Sequence, residues 1–344
     1  MALNANYLGK LVRGHIRWPS KLYREALRAI LGVSTDAALG FVNARRTVVR
    51  LEAVDRQQFV RSSAALGAGA LVLGPVAALL AGSEPIPLPA RVGATDIEQL
   101  RVAAQMFKSW DSAYGGGLAR EAVLAQVHWS AGLLKATCPD RLRPELFSAV
   151  GYLAHTAGYI ALDAHAHDQA RRFYQFALGC AEQAGDCHLR AQVLASMAYQ
   201  EILTGRPYEG LTLIEHALVG ADRLTATERA MLHGQRAPAL ATMRRVRETL
   251  IAIGTADDHF AHSTPASTPP FLAHYDTAMH AGLTGHALAD LAPTGHGATE
   301  AAGRLSAAIA GHGPSFARAK VLAQLKFASL TMITGDPVQA AIIG

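Results

Sequence analysis

Three polar side chains near the start of the chain recur at helical spacing. Asn6, Lys10 and Arg13 are separated by four and three residues, so in a helix they project from one side. An Asn amide can pair with adenine in the major groove of DNA, and Lys or Arg can pair with guanine. Arg17 lies just beyond this helix, where a cation can hold a phosphate. The predicted DNA-contacting set is Asn6, Tyr7, Lys10, Arg13 and Arg17.

The residues that follow are typical of helices packed behind such a segment. Gly14 suits a helix end, and Pro19 with Ser20 suits the start of another helix. A short helix with one polar face also occurs on ordinary protein surfaces, so this pattern alone leaves both interpretations open. Apolar spacing predicts that the second helix ends at Gly32 and contains Leu22, Tyr23, Ala26, Leu27, Ile30 and Leu31.

The distribution of charge favours a separate basic module. Residues 1–61 hold eleven Lys or Arg against four Asp or Glu, a net charge of +7. The whole chain carries +5, so the remainder is about −2. Such a segment suits phosphates or anionic lipid, while a chance excess on a solvated face is the alternative.

Residues 62–82 form an uncharged stretch that is long enough to span a membrane. Four glycines and Pro75 weaken its insertion, so we expect a buried or linker helix in a cytoplasmic protein, with a membrane anchor as the alternative. The proline-rich segment 83–93 predicts a stiff linker and a domain boundary.

From residue 96 onward the pattern is helical throughout and contains a repeat. The repeated unit is a small residue, a bulky one four positions later, and a small one three positions after that. Small residues let two helices approach while the bulky residue fills the gap, which predicts stacked helix pairs. Alanine-rich helices also produce this spacing by chance, so a generic bundle is the alternative. The predicted packing residues are Ala170, Tyr174 and Ala177; Gly210, Ile214 and Ala217; Ala301, Leu305 and Ala308, with a related set at Thr249, Ile253 and Ala256.

Residues 254–276 interrupt this repeat with polar and proline-bearing sequence. They predict a surface loop over one face of the array, either beside a binding groove or without a role.

The potential ligands and nucleophiles of the chain form no enzyme motif that we recognise. The densest cluster is DAHAHD at 163–168, which suits either a metal-binding turn or a plain polar turn between helices, and we favour the latter. Cys138, Cys180 and Cys187 lack zinc spacing, so we expect them to be packing residues in a reducing compartment. The sequence therefore predicts no catalytic residue, no metal site and no cofactor.

Several stretches resemble a known family. NYLGKLVRG, IRWP and YREALRAILG resemble the recognition helix and following helices of a Cro/cI-type (XRE) helix-turn-helix domain. FLAHYDTAMHAGLTGHALADL and GHGPSFARAKVLAQLKFASLTMITGDPVQAA are similar to the late repeats of actinobacterial regulators that join this domain to a tetratricopeptide-like body. The period here is near 40 residues where the family standard is 34, and much of the repeat consensus is missing.

The resemblance implies an all-α transcriptional regulator with a partial helix-turn-helix domain at 1–40, a linker at 41–95 and tetratricopeptide-like repeats at 96–344. Its repeats would bind a peptide, protein or small ligand, or form a homodimer. The family domain has two helices before the recognition helix, so the chain looks truncated at Met1, and we expect weak or no specific DNA binding by this chain alone. The alternative is a helical-repeat interaction scaffold without DNA binding, tethered to a membrane through 62–82 or free in the cytoplasm.

Overall fold

The computed structural model describes residues 19–31 and 87–343. In these residues the regular structure is helical, apart from one isolated bridge between Arg91 and Thr137, so the all-α expectation holds for them. None of the helices in these two ranges combines the length and apolar character that a bilayer crossing requires. The predicted DNA-contacting residues and the apolar stretch 62–82 lie outside the described residues.

The first described helix, α1, runs from Lys21 to Leu31 and belongs to a compact unit that covers residues 1–85. The Arg24 amide donates to the Ser20 carbonyl at 3.0 Å, which places Ser20 at the helix start. The helix agrees with the apolar spacing expected between Pro19 and Gly32. Leu22 on this helix is 61% exposed.

The second compact unit covers residues 86–344 and contains twelve described helices. Short turns connect most of them, which brings each helix against the next one in the chain. They are α2 (Ala94–Tyr114), α3 (Gly116–Leu133), α4 (Arg143–Asp163), α5 (His167–Ala184), α6 (Cys187–Leu203), α7 (Pro207–Leu218), α8 (Ala226–Thr242), α9 (Val246–Ala261), α10 (Thr277–Leu291), α11 (Ala298–Gly311), α12 (Ala317–Ile333) and α13 (Pro337–Ile343).

Local sequence explains how these helices begin and end. Gly185 adopts the left-handed conformation (φ 64°) that closes α5, and the Asp186 side chain then accepts from the Leu189 amide at 2.9 Å to start α6. Thr225 and Glu228 form a reciprocal capping box at the start of α8. These signals produce compact turns between helices that pack side by side.

The predicted packing sets, each made of a small, a bulky and a second small residue, lie on alternate helices of the array. Their side chains are buried on α5, α7, α9 and α11, and Ala170, Tyr174 and Ala177 are each 0% exposed. A Cβ added at Gly210 would lie 2.7 Å from Ile202 Cγ1, so α7 approaches α6 too closely for any larger residue there. The sets are therefore contact surfaces between neighbouring helices.

Six of the remaining eight helices described in this unit form a closed inner ring. Each of α2, α4, α6, α8, α10 and α12 contacts the next member of this series, and α12 contacts α2. The 3-10 turn Pro314–Phe316 also packs against α2. The last of these helices thus returns to the first, and the ring surrounds a central space.

Two predicted boundaries differ in detail from the structure. The expected loop at 254–276 is helical as far as Ala261, because α9 continues through GTADDHFA before the chain leaves it. The first helix of the unit begins at Ala94, where Gly93 donates to Asp96 Oδ2 at 2.7 Å. The preceding linker residues are also tied down, since Val92 donates to the Thr137 carbonyl at 2.9 Å.

Candidate functional site

A cavity of about 430 Å³ lies at the centre of the inner ring. Its volume falls in the range of about 300–1,000 Å³ that is common for sites binding small molecules. All six inner helices contribute to its wall, together with residues 274–275 and the turn before α12. Much of the wall is apolar, through residues that include Ile160, Ile202, Met231, Met279, Leu283 and Phe316.

Arg318 closes the ring at one side of the cavity. Its Nε lies 2.6 Å from Asp163 Oδ1 at the end of α4, and its Nη1 lies 3.8 Å from Asp111 Oδ2 on α2. The guanidinium also sits over the Tyr159 ring, 5.2 Å from its centroid. Burial raises the pKa of Asp111 to about 6, and the charge of Arg318 limits that rise. One cation therefore joins three helices that are distant in the sequence.

The segment between α9 and α10 enters the ring and forms part of the cavity wall. Lys108 Nζ on α2 donates to the Phe271 carbonyl at 2.6 Å and lies 3.1 Å from His274 Nδ1. The Phe271 ring packs on Tyr152 of α4, with 4.7 Å between centroids. The first part of this segment is exposed at residues 264–267, whereas Leu272 is fully buried. The segment predicted as a surface loop is therefore exposed in its first part and buried in its second part.

A hydrogen-bonded chain fixes the end of this segment to the array. Tyr275, which lines the cavity, lies 3.0 Å from His280 Nδ1, and His280 Nε2 lies 2.7 Å from Asp257 Oδ1. Arg304 donates to the same Asp257 carboxylate through two nitrogens. Because the carboxylate accepts from Nε2–H, Nδ1 of a neutral His280 accepts from the tyrosine hydroxyl. Phe260 stacks on the His280 ring at 4.3 Å, which holds the imidazole in place.

Burial favours the neutral form of three histidines of the wall, His155, His274 and His286. Burial lowers the pKa of His155 and His274 to about 3, and that of His286 to about 4. Nearby Lys108 and Lys326 act in the same direction, because a positive charge disfavours imidazolium. His155 Nε2 pairs with Ser196 Oγ at 2.8 Å. These side chains therefore supply neutral donors and acceptors to the cavity.

Two glutamines of the wall retain unused hydrogen-bonding capacity. Gln192 Oε1 on α6 and Gln235 Oε1 on α8 are buried, and neither has a hydrogen-bond partner in the ranges that the structure describes. An unpaired buried amide oxygen costs about 1–3 kcal/mol, so partners such as water or ligand donors would stabilise both.

The predicted packing residues lie outside the cavity lining, and the predicted DNA-contacting residues lie outside the described part of the chain. The nine repeat packing residues lie on α5, α7 and α11, and none lines the cavity. The DAHAHD cluster spans the end of α4 and start of α5, where His165 has a positive φ of 58° and bounds a separate open depression. In the described ranges no group of three potential ligands could hold a metal ion. Cys138 and Cys180 are buried free thiols, and burial raises the pKa of Cys180 to about 11.

Sequence reasoning missed Lys108, Asp111, His274 and Arg318, which define the polar part of the cavity. A weak signal was present for Asp111, because it lies four residues after buried Phe107 and seven after buried Ala104. A carboxylate within an apolar helix stripe indicates a buried ionic contact or a site.

No family model, curated protein or solved structure matches the chain.

Proposed function

We propose that the chain is a ligand-responsive DNA-binding regulator. In this proposal the closed ring of helices binds a small ligand or peptide in its central cavity, and the basic N-terminal segment contacts DNA. The observation that carries the proposal is the 430 Å³ cavity, which has a mostly apolar wall and a few convergent polar groups. Such a cavity is typical of sites that bind small molecules.

The DNA-binding half rests on sequence. Residues 1–61 carry the net charge of +7, and Asn6, Lys10 and Arg13 share one face of the expected helix. The resemblance to helix-turn-helix regulators with tetratricopeptide-like bodies supports the same assignment. The helix pairs of the second unit, with small residues at their contacts, support the repeat part of that resemblance.

Fluorescence anisotropy with labelled promoter duplexes tests the DNA-binding half. We expect weak binding by this chain that falls as salt rises, because phosphate contacts release counterions. The double variant Lys10→Ala and Arg13→Ala should abolish the binding. Arg247→Ala, which removes an exposed cation of α9, should leave it unchanged. Absence of binding at low salt, or equal effects of the two variants, would overturn this half of the proposal.

A second candidate is a helical-repeat scaffold without DNA binding. Exposed apolar pairs one turn apart favour it: Val321 and Leu325 on α12 are 50% and 56% exposed, and Val338 and Ile342 on α13 are 71% and 73% exposed. Apolar surface of this kind is common at protein interfaces.

Two measurements separate this candidate from the regulator. The scaffold requires association in solution, seen by size-exclusion chromatography with light scattering, together with no DNA binding at low salt. Fractionation of cells tests the tether through residues 62–82, because recovery wholly in the soluble fraction would remove it.

A further inference from the structure

Within the described part of the chain, Lys108 is the cation of the cavity wall that has no carboxylate at ion-pair distance. Its Nζ contacts the Phe271 carbonyl and His274 Nδ1, and among the described residues no acid oxygen lies within ion-pair distance of it. Asp111, three residues away on the same helix, is paired with Arg318 instead. An ammonium has three N–H donors, so one donor of Lys108 is unused.

His274 supplies a second unused donor beside it. A charged Lys108 has no lone pair and can only donate, so His274 Nδ1 must accept. The neutral imidazole then carries its proton on Nε2. That nitrogen has no hydrogen-bond partner within the part of the chain that the structure describes. Two N–H groups, one of them cationic, are therefore available at one corner of the cavity.

The other two cations of the wall already have carboxylate partners. Lys326 on α12 pairs with Asp290 on α10, and Arg318 pairs with Asp163 and Asp111. Among the described residues, these three carboxylates therefore lie beside Arg318 and Lys326, and none lies within ion-pair distance of Lys108. Burial lowers the pKa of Lys108 to about 8, so the amine is still mostly protonated at neutral pH.

We propose that the cavity binds a small amphiphilic organic acid, whose carboxylate is received by Lys108 and His274 while its apolar body lies against the ring's apolar wall. This inference rests on the proposed ligand-binding role of the cavity and assigns that ligand a chemical class. The apolar part of the wall includes Met231, Met279 and Leu283. A charge-assisted hydrogen bond in such a place is stronger than a neutral one and selects for an anion.

Isothermal titration of the full chain with matched probes tests the proposal. Octanoate is compared with octan-1-ol, which has the same apolar chain without the charge, and 4-phenylbutyrate tests an aromatic body. We expect both acids to bind about tenfold or more tightly than the alcohol, as a charge-assisted hydrogen bond implies. Acids that bind no more tightly than octan-1-ol, or fail to bind, overturn the inference.

Variants locate the carboxylate. Lys108→Met should reduce octanoate affinity to that of the alcohol, whereas Lys108→Arg should retain the preference for the acid. Lys135→Met, which changes an exposed lysine, is the matched control. Far-UV circular dichroism establishes that each variant is folded, and retained acid selectivity in folded Lys108→Met overturns the assignment. If the acid titration gives a negative result, the proposed ligand class is wrong. The DNA titration is a separate measurement, and its result decides the regulator proposal.

Discussion

Replacing Arg318 by methionine should destabilise the protein by an amount that increases with pH. The substitution keeps an unbranched apolar stem but removes the cation that joins α12 to α2 and α4. It leaves Asp111, whose side chain is only 4% exposed, without its nearest positive charge. An uncompensated buried carboxylate is costly when ionised and inexpensive when protonated. The deficit should therefore depend on the protonation of one group.

The structure sets limits on this deficit. Burial raises the pKa of Asp111 from 3.8 to about 6, so folding favours its protonated form, and this contribution to stability is lost as the pH rises from about 4 through 6. In the parent protein at pH 7, ionisation of Asp111 has lowered the free energy of unfolding by about 3 kcal/mol relative to a permanently protonated side chain. Without Arg318 the carboxyl of Asp111 can stay protonated in the folded state at pH 7. The free energy of unfolding can therefore fall by no more than about 4.4 kcal/mol through this group.

The Asp111 part of the deficit is therefore at most about 1.5 kcal/mol at pH 7, and near zero at pH 5. Loss of the Asp163 pair and the Tyr159 contact adds about 1–2 kcal/mol at both pH values, because these interactions are partly exposed. The total should be about 1–2 kcal/mol at pH 5, and it should rise to at most about 3.5 kcal/mol at pH 7.

Urea unfolding followed by far-UV circular dichroism at pH 5 and pH 7 measures this difference. Buried histidines with a lowered pKa, such as His155, destabilise every variant alike at pH 5, so only differences from the parent are compared. The double variant Arg318→Met with Asp111→Asn should lose the pH-dependent part. An equal deficit at both pH values, or a pH-dependent one that persists in the double variant, would refute the reasoning.

Two further substitutions test helix packing by urea unfolding. Gly158→Ala should cost about 1–3 kcal/mol, because the new Cβ would lie 2.5 Å from Tyr174 Cε1. Gly179→Ala, whose new Cβ would meet no described atom within 4 Å, should stabilise the protein by up to about 1 kcal/mol, and similar effects at both sites would contradict the contact at Gly158. Ile214→Ala should cost about 2–5 kcal/mol, whereas Ile251→Ala, at a residue that is 53% exposed, should cost less than about 0.5 kcal/mol. A near-neutral change at Ile214 would show that its set is not a packing surface.

The sequence was most informative where packing imposes a simple spacing. Ala170, Tyr174 and Ala177 lie on one side of a helix and fill one contact, so their types and separation follow from local geometry. The same spacing at Gly210, Ile214 and Ala217 falls on α7, again in buried positions.

The cavity was not predictable because its groups come from distant parts of the chain. Lys108 and Phe271 are separated by 163 residues, and no local pattern specifies that the segment after α9 turns inward. The polar residues of the inner helices also weaken the apolar periodicity that identifies a helix face, since Asp111 occupies a buried position. Ring closure through Arg318 depends on the summed rotation of successive helix pairs, which single-sequence patterns do not define.

Closure of the ring changes how the unit is expected to unfold. In an open array each repeat is held only by its neighbours, so the terminal repeats fray first and separation proceeds inward. Contact between α12 and α2 gives each of these helices a second neighbour within the inner ring. Loss of either one then removes support from the other, which links the two distant ends in a single cooperative step. Forming that contact requires most of the intervening chain to be ordered, so we expect it to appear late in folding.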